Sequence, residues 1–358
     1  MPFDLPIDYV LGLLAWVACG AVSFLVVIAL RRYVRRTLPR RVLWLNAALS
    51  LWMFLAALTV VELYFAVIYD QSDSYNMSNV SKHWFARHVR RNEFGFRDDH
   101  EFPEKVPEGR RRICFVGDSF TFGHGVKDVA DRFSDRIAGR LDTARPGKFV
   151  VSNIAETAWE VWDVTDAVEA IVVNRGRRID VLVYTVCLND IEVYEPASAD
   201  EHARLGLHAP QFLPLRDTYF LNMLYFRVRQ AQLPEVRNYY SQLAASYGSA
   251  PWQRMQRKLD ELREFCRDRS IDLRIVIFPF LHNLGPEYPF DAAHEQLGEY
   301  FRRAGVPCLD LKPLLTAHAS EGLTVNRFDA HPNERAHALA AEAIERELLG
   351  NLFVSEQP

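Results

Sequence analysis

Two stretches near the amino terminus are apolar for far longer than a soluble helix needs. No charged residue occurs from Tyr9 to Leu30, and only Asn46 and Glu62 break the apolar run from Val42 to Ile68. About 20 apolar residues suffice to cross a bilayer. The short connection between the runs holds six arginines, Arg31, Arg32, Arg35, Arg36, Arg40 and Arg41, whereas Asp4, Asp8, Asp70 and Asp73 flank the outer ends. Basic loops stay on the cytoplasmic side. The pattern therefore predicts a two-pass transmembrane hairpin over residues 1–70, with everything after Asp70 on the periplasmic or extracellular side. Glu62 lies near the far end of its run and is expected to reach the interface. A cleaved signal peptide fits poorly, because the amino terminus has no basic residue and the run is too long.

The pattern then changes. Residues 71–111 are polar and mixed and read as a linker with local structure. From Arg112 onward, short apolar runs alternate with amphipathic ones. Ile113–Val116, Phe149–Ile154, Asp180–Val186, Leu273–Phe278 and Val306–Leu311 read as strands. Asp128–Leu141, roughly Trp162–Asn174, Trp252–Asp268 and Asn333–Leu349 carry apolar residues at helical spacing. Repeating βα units of this length predict a parallel sheet with helices on both faces, here over residues 112–350. Residues 195–250, rich in Phe and Tyr, interrupt the rhythm and read as an insertion beside the site.

Composition adds little to this division. A net charge of -4 gives no reason to expect nucleic-acid binding. The five cysteines are widely spaced without a C-x-x-C pair, which argues against a zinc site or a disulfide framework. Cys114, Cys187 and Cys308 lie in strand-like runs and are expected as buried free thiols.

Parallel α/β sheets gather their chemistry outside the carboxyl ends of the strands. There the chain places Gly117-Asp118-Ser119 after the first strand, Asn153 to Ala158 after the second, Asn189-Asp190 after the third and Asp329-Ala330-His331 after the fifth. Ser119 needs a base to become a nucleophile, and His331 has a carboxylate beside it. Asp329 would accept from one imidazole nitrogen while the other faces Ser119. The side chain of Asn189, with the backbone amides of Ser119 and Ala158, would bind an oxyanion. Asn189 could instead cap the helix that follows, and Asp329 could cap the last helix, although Asn333 fits that role better. His124 is set aside as a base: a helix would turn it to another face, with no carboxylate at suitable spacing. His282 reads as a surface histidine.

These segments, over roughly Arg112 to Leu349, resemble the GDSL-type, or SGNH, esterases and acylhydrolases. Gly117-Asp118-Ser119 resembles their first block, Asn153–Ala158 the second, Asn189-Asp190 the third, and Asp329 with His331 the last. Asn92-Glu93-Phe94-Gly95-Phe96-Arg97-Asp98 resembles the lead-in of membrane-attached members. The resemblance implies a flavodoxin-like three-layer fold with five parallel strands, and ester hydrolysis with no metal or other cofactor. Ala158 stands where Gly is usual, so a positive φ there would be strained. Cys187 replaces another Gly, and Asp-x-His replaces the commoner Asp-x-x-His, a form resembling proteins that acetylate or deacetylate exopolysaccharides. The expected substrate is an acylated small molecule or glycan, with the lipid bilayer as the other partner. Two other readings use the same residues. An acyltransferase would move the acyl group onto a glycan and require a membrane acyltransferase partner; a glycan-binding module would use the fold without catalysis.

Overall fold

A computed structural model describes residues 5–37, 42–100, 102, 105–191 and 208–354. Arg40 and Arg41 of the basic loop, and 195–207 of the expected insertion, lie outside these residues. The chain opens with helices α1 (Ile7–Thr37) and α2 (Val42–Leu63), followed by α3 (Asn79–His88). Strand β1 (Arg111–Gly117) leads into a one-turn helix α4 (Ser119–Phe122), then α5 (Phe133–Ala144), β2 (Phe149–Ala155), α6 (Val161–Glu169) and β3 (Val181–Cys187). Four helices follow among the described residues: α7 (Leu213–Asp217), α8 (Phe220–Gln232), α9 (Pro234–Ser246) and α10 (Ala250–Asp268). The carboxyl-terminal part holds β4 (Asp272–Phe278), α11 (Asp291–Arg303), β5 (Cys308–Asp310), α12 (Lys312–Ala317), the short strands β6 (Thr324–Asn326) and β7 (Asp329–Pro332), α13 (Glu334–Ala343) and α14 (Gly350–Phe353).

The chain divides into two compact units. The first combines Met1–Gln71, Asn76–Arg87 and Leu207–Gln232. Within it, two helical segments, Ile7–Arg35 and Val42–Ile68, are long and apolar enough to cross a membrane. They are cross-linked along their length: Tyr9 donates to Glu62 (2.7 Å), Trp16 to Thr59 (2.9 Å), Trp52 to the Gly20 carbonyl (2.8 Å) and Arg31 to Asn46 (3.0 Å). Part of the stretch expected as an insertion, 208–232, belongs to this unit, as does most of α3 from the expected linker. Asn222 joins them, accepting from the Asn79 amide at 2.8 Å.

The second unit comprises Ser72–Tyr75, His88–Gly206 and Leu233–Pro358. Its five strands are parallel in the order β2-β1-β3-β4-β5, the doubly wound flavodoxin-like arrangement. β3 is buried at every position, as a strand covered on both faces must be. Helices α5 and α13 cover one face, and Arg140 of α5 bonds to Glu345 just past the end of α13 (2.8 Å). Helices α6, α10 and α11 cover the other, joined by Lys258 to Asp166 (3.3 Å) and by the Tyr300 hydroxyl to Asp260 (2.9 Å). α11 was not expected, although Ala293, Leu297 and Phe301 repeat at four-residue spacing and all are buried.

Register puts the strand ends level. Gly117 pairs with both Ala155 and Thr185, and Cys187 with Phe278. The segments after β1, β2, β3 and β4 therefore emerge at one edge. All five cysteines are free; Cys114, Cys187 and Cys266 are buried. Burial pushes the Cys114 and Cys266 thiols up to about 12, so neither is a thiolate near neutral pH.

Candidate active site

The nucleophile candidate sits on a tight turn that requires glycine at position 117. Gly117 ends β1 where a Cβ would come within 2.8 Å of the Thr185 carbonyl. Asp118 then caps α4, accepting from the Phe120 amide at 2.9 Å. Ser119 is thereby the first residue of a short helix, 7% exposed. The helix stops after one turn because Gly123 takes a left-handed conformation (φ 76°).

Asp329 and His331 lie on β7, in a two-stranded antiparallel hairpin with β6 rather than in an open loop. Side chains alternate along a strand, so residues two apart share a face. That is the physical sense of the Asp-x-His spacing. His331 Nδ1 is 2.6 Å from Asp329 Oδ1, and its Nε2 is 3.0 Å from Ser119 Oγ. Three residues separated by up to 212 positions thus form a continuous Ser-His-Asp chain. Asn333, not Asp329, caps α13, accepting from the amides of Arg335 and Ala336.

Asp329 is fully buried. Burial alone would raise its pKa, but the neighbouring His331 and His124 and hydrogen bonds from His331 and Ser72 outweigh it. The carboxyl is held well below the ordinary carboxylate range. Its second oxygen, Oδ2, accepts from the Ser72 hydroxyl. Ser74 secures the same strand, its amide donating to the Phe328 carbonyl (3.2 Å) and its hydroxyl accepting from the Ala330 amide (3.0 Å).

His124 departs from expectation. Because α4 is one turn long, the chain doubles back and brings His124 Nε2 to 3.6 Å from Asp329 Oδ2. Its ring stacks on His331 at 3.9 Å and 8°. The same Nε2 is 3.0 Å from the Asp73 carbonyl, which can only accept, so this nitrogen carries the proton. Burial, then the adjoining His331, hold the His124 pKa down to about 3, and the ring is neutral near neutral pH. Ser72, Asp73 and His124 are the site residues that sequence reasoning missed. Ser72 and Asp73 leave no local signal, 257 positions from Asp329 and 51 from His124 respectively. His124 had one, the helix-stopping glycine before it.

The expected oxyanion donors lie as follows. Ala158 has φ 59°, the left-handed conformation for which glycine is suited. Asn189 is in the 3-10 turn Leu188–Ile191 after β3 and hydrogen-bonds through its side chain to Asp118. A primary amide carries two N–H donors, so this bond does not exhaust it. Burial pushes the Asp118 carboxyl up, opposed by the Phe120 amide, His331, Ser119 and Asn189. The next residue, Asp190, is fully buried and receives the Tyr184 hydroxyl at 2.6 Å. His282 is exposed on the turn Leu281–Asn283.

The strain at Ala158 has a measurable consequence. A non-glycine residue in the left-handed region costs roughly 1–2 kcal/mol, and the greater freedom of glycine in the unfolded chain returns part of that. Ala158→Gly is expected to stabilise the protein by about 1 kcal/mol, read as a higher Tm, while leaving the backbone N–H in place.

His124, Asp329 and His331 also offer three ligand atoms within 4.8 Å of one another. Both ring nitrogens of His331 already face Asp329 and Ser119, and His124 Nε2 faces the Asp73 carbonyl. A cation would have to displace these bonds, whereas nucleophilic chemistry uses them as they stand.

No protein-family model matches the chain, and no curated protein matches its sequence. Among solved structures, TesA aligns at a TM-score of 0.43 with 15% identity, over 68% of this chain and 99% of its own. An alpha/beta hydrolase from the metagenome of Lake Arreo, Spain, aligns at 0.43 with 13% identity, over 68% and 97%. A catalytic mutant of an acetylxylan esterase from Geobacillus stearothermophilus aligns at 0.42 with 16% identity, over 69% and 97%. The chemistry open to this chain is read from its own residues.

Proposed function

We propose that the chain is a membrane-anchored serine esterase of the SGNH type that removes acyl groups, most simply O-acetyl groups, from cell-envelope or secreted glycans. The observation that carries this reading is the unbroken chain Ser119 Oγ, His331, Asp329, with separations of 3.0 and 2.6 Å and a fully buried carboxylate at its end.

Ser119 Oγ attacks the acyl carbonyl carbon while His331 Nε2 takes its proton. The tetrahedral oxyanion is met by the backbone N–H groups of Ser119 and Ala158 and by the Asn189 amide. His331 returns the proton to the departing alcohol oxygen, leaving an acyl ester on Ser119. Water, deprotonated by His331, then releases the carboxylic acid and restores the serine. Asp329 keeps Nδ1 protonated and aimed.

The anchor part of the reading rests on α1 and α2. Their apolar side chains face outward, Leu25 67% and Leu43 73% exposed, the reverse of a soluble core helix. The arginine-rich connection supports an outer position for the serine unit.

Acetate release from an acetylated oligosaccharide by the full chain in nanodiscs tests the reading. Release is expected from wild type and not from Ser119→Ala. A folded wild type that cleaves no acyl ester would contradict it. Within this scheme Ser72 orients Asp329. A hydrogen bond to a charged group contributes about 1.5–3 kcal/mol. Ser72→Ala is therefore expected to lower kcat by about ten- to a hundredfold with KM little changed, and Ser72→Thr to recover most of the loss.

A further inference from the structure

Glu62 of α2 holds the start of α8. Its carboxylate accepts from the Tyr9 hydroxyl (2.7 Å) and from the amides of Tyr219 (2.7 Å) and Phe220 (2.8 Å). If α1 and α2 span a bilayer, as proposed above, the depth of that carboxylate follows. From Val42 to Glu62 the helix rises about 30 Å, the thickness of the hydrocarbon core. From Tyr9 to Arg31 the rise is about 33 Å. Tyr9 and Glu62 therefore mark the outer edge of the core, and the hydrogen-bonded Arg31 and Asn46 lie toward its inner side. Tyr64, Tyr69 and Tyr219 gather near the outer edge, where amphipathic rings are favoured.

α8 thus begins at the outer hydrocarbon boundary. Its inward side is largely apolar, with Met223 and Phe226 buried beside Asn222. Its outward stripe is apolar as well: Leu224 and Val228, one turn apart, are each 45% exposed. The residues just ahead, Phe212 and Leu213, are 66% and 57% exposed. A helix whose outer face met water would carry polar residues there.

We infer that α7 and α8 form an interfacial element of the membrane unit, with Phe212, Leu213, Leu224 and Val228 against the acyl chains of the outer leaflet. Arg227 and Arg229 flank this stripe and can reach lipid phosphates; Arg227 also donates to the Tyr69 hydroxyl at 3.3 Å. The stripe meets the lipid already required by α1 and α2. A segment remote in sequence from the hairpin thereby becomes part of the anchor.

An environment-sensitive fluorophore on an engineered cysteine tests this in lipid nanodiscs. Leu224→Cys and Phe212→Cys are labelled in a Cys19→Ser background, with the label-treated parent subtracted. Two further labels calibrate depth: native Cys19, exposed about 15 Å along α1 from Tyr9, and Thr143→Cys, exposed on α5. Labels at both α7–α8 sites are expected to be quenched roughly twofold more by a nitroxide near the lipid headgroup than by one near the chain end. The Cys19 label should show the opposite order, and the Thr143 label little quenching by either. If the Phe212 and Leu224 labels behave like Thr143 while Cys19 is quenched, the inference is overturned, and the stripe faces water, a second copy or a protein partner. If Cys19 is not quenched either, the spanning of α1 fails, and the inference with it.

Discussion

Asp329→Asn is expected to lower kcat by about 10⁴-fold while leaving the protein folded. The carboxylate uses its two oxygens on two different donors. Oδ1 accepts from His331 Nδ1, and Oδ2 accepts from Ser72 with His124 Nε2 3.6 Å away. An amide has one oxygen and one NH₂ group, so it cannot satisfy both sides. If its oxygen faces Ser72 and the protonated His124 Nε2, its NH₂ faces His331 Nδ1. The imidazole must then accept there and carry its proton on Nε2, the nitrogen that should take the proton from Ser119. If it turns the other way, the imidazolium formed during reaction still lacks a counter-charge. Steady-state kinetics on an acetyl ester, with circular dichroism as a folding control, check the outcome. Undiminished kcat would remove Asp329 from the mechanism.

Arg97→Ala is expected to destabilise the second unit by roughly 3–5 kcal/mol. The residue is 1% exposed yet charged. Its guanidinium donates to the carbonyls of Gly123 (2.5 Å) and Val126 (2.6 Å), with His88 at 3.2 Å and Lys127 at 3.3 Å. Truncation leaves these acceptors without their donor and opens a cavity. The loop it holds, Gly123–Lys127, carries His124, so residual activity should fall with stability. Arg97→Lys should recover little, because an ammonium lacks the planar fork that reaches several carbonyls at once. A drop in Tm of about 10 °C is the expected scale. A Tm within a degree or two of wild type would show that the buried fork is dispensable.

How much of this was visible in the chain depends on the range of the interaction. β1 is apolar from Ile113 to Val116 and β3 nearly so along its length because both faces are covered, and such runs announce themselves. The five-stranded sheet, with Ser119 following β1 and Asn189 following β3, follows from that rhythm. Two errors came from turns. The single turn of α4 folds His124 back onto Asp329, where a longer helix would have carried it away. The hairpin β6–β7 gives Asp329 and His331 a common face, where only a loop was expected. Other features leave no local trace. Arg97 is held by backbone carbonyls, which any sequence supplies, so a buried structural arginine reads as one more polar residue in a linker. Glu62 binds amides 157 and 158 positions away, and nothing in the aromatic stretch 208–232 announces that it belongs with the hairpin.

The central claim is that Ser119 is an activated nucleophile. Fluorophosphonate labelling of the full chain in detergent, with the adduct mapped by mass spectrometry, tests it most directly. The account predicts one adduct, on Ser119, abolished in Ser119→Ala and strongly slowed in His331→Ala. A folded wild-type protein that takes up no label, or labels elsewhere with Ser119 untouched, would contradict it.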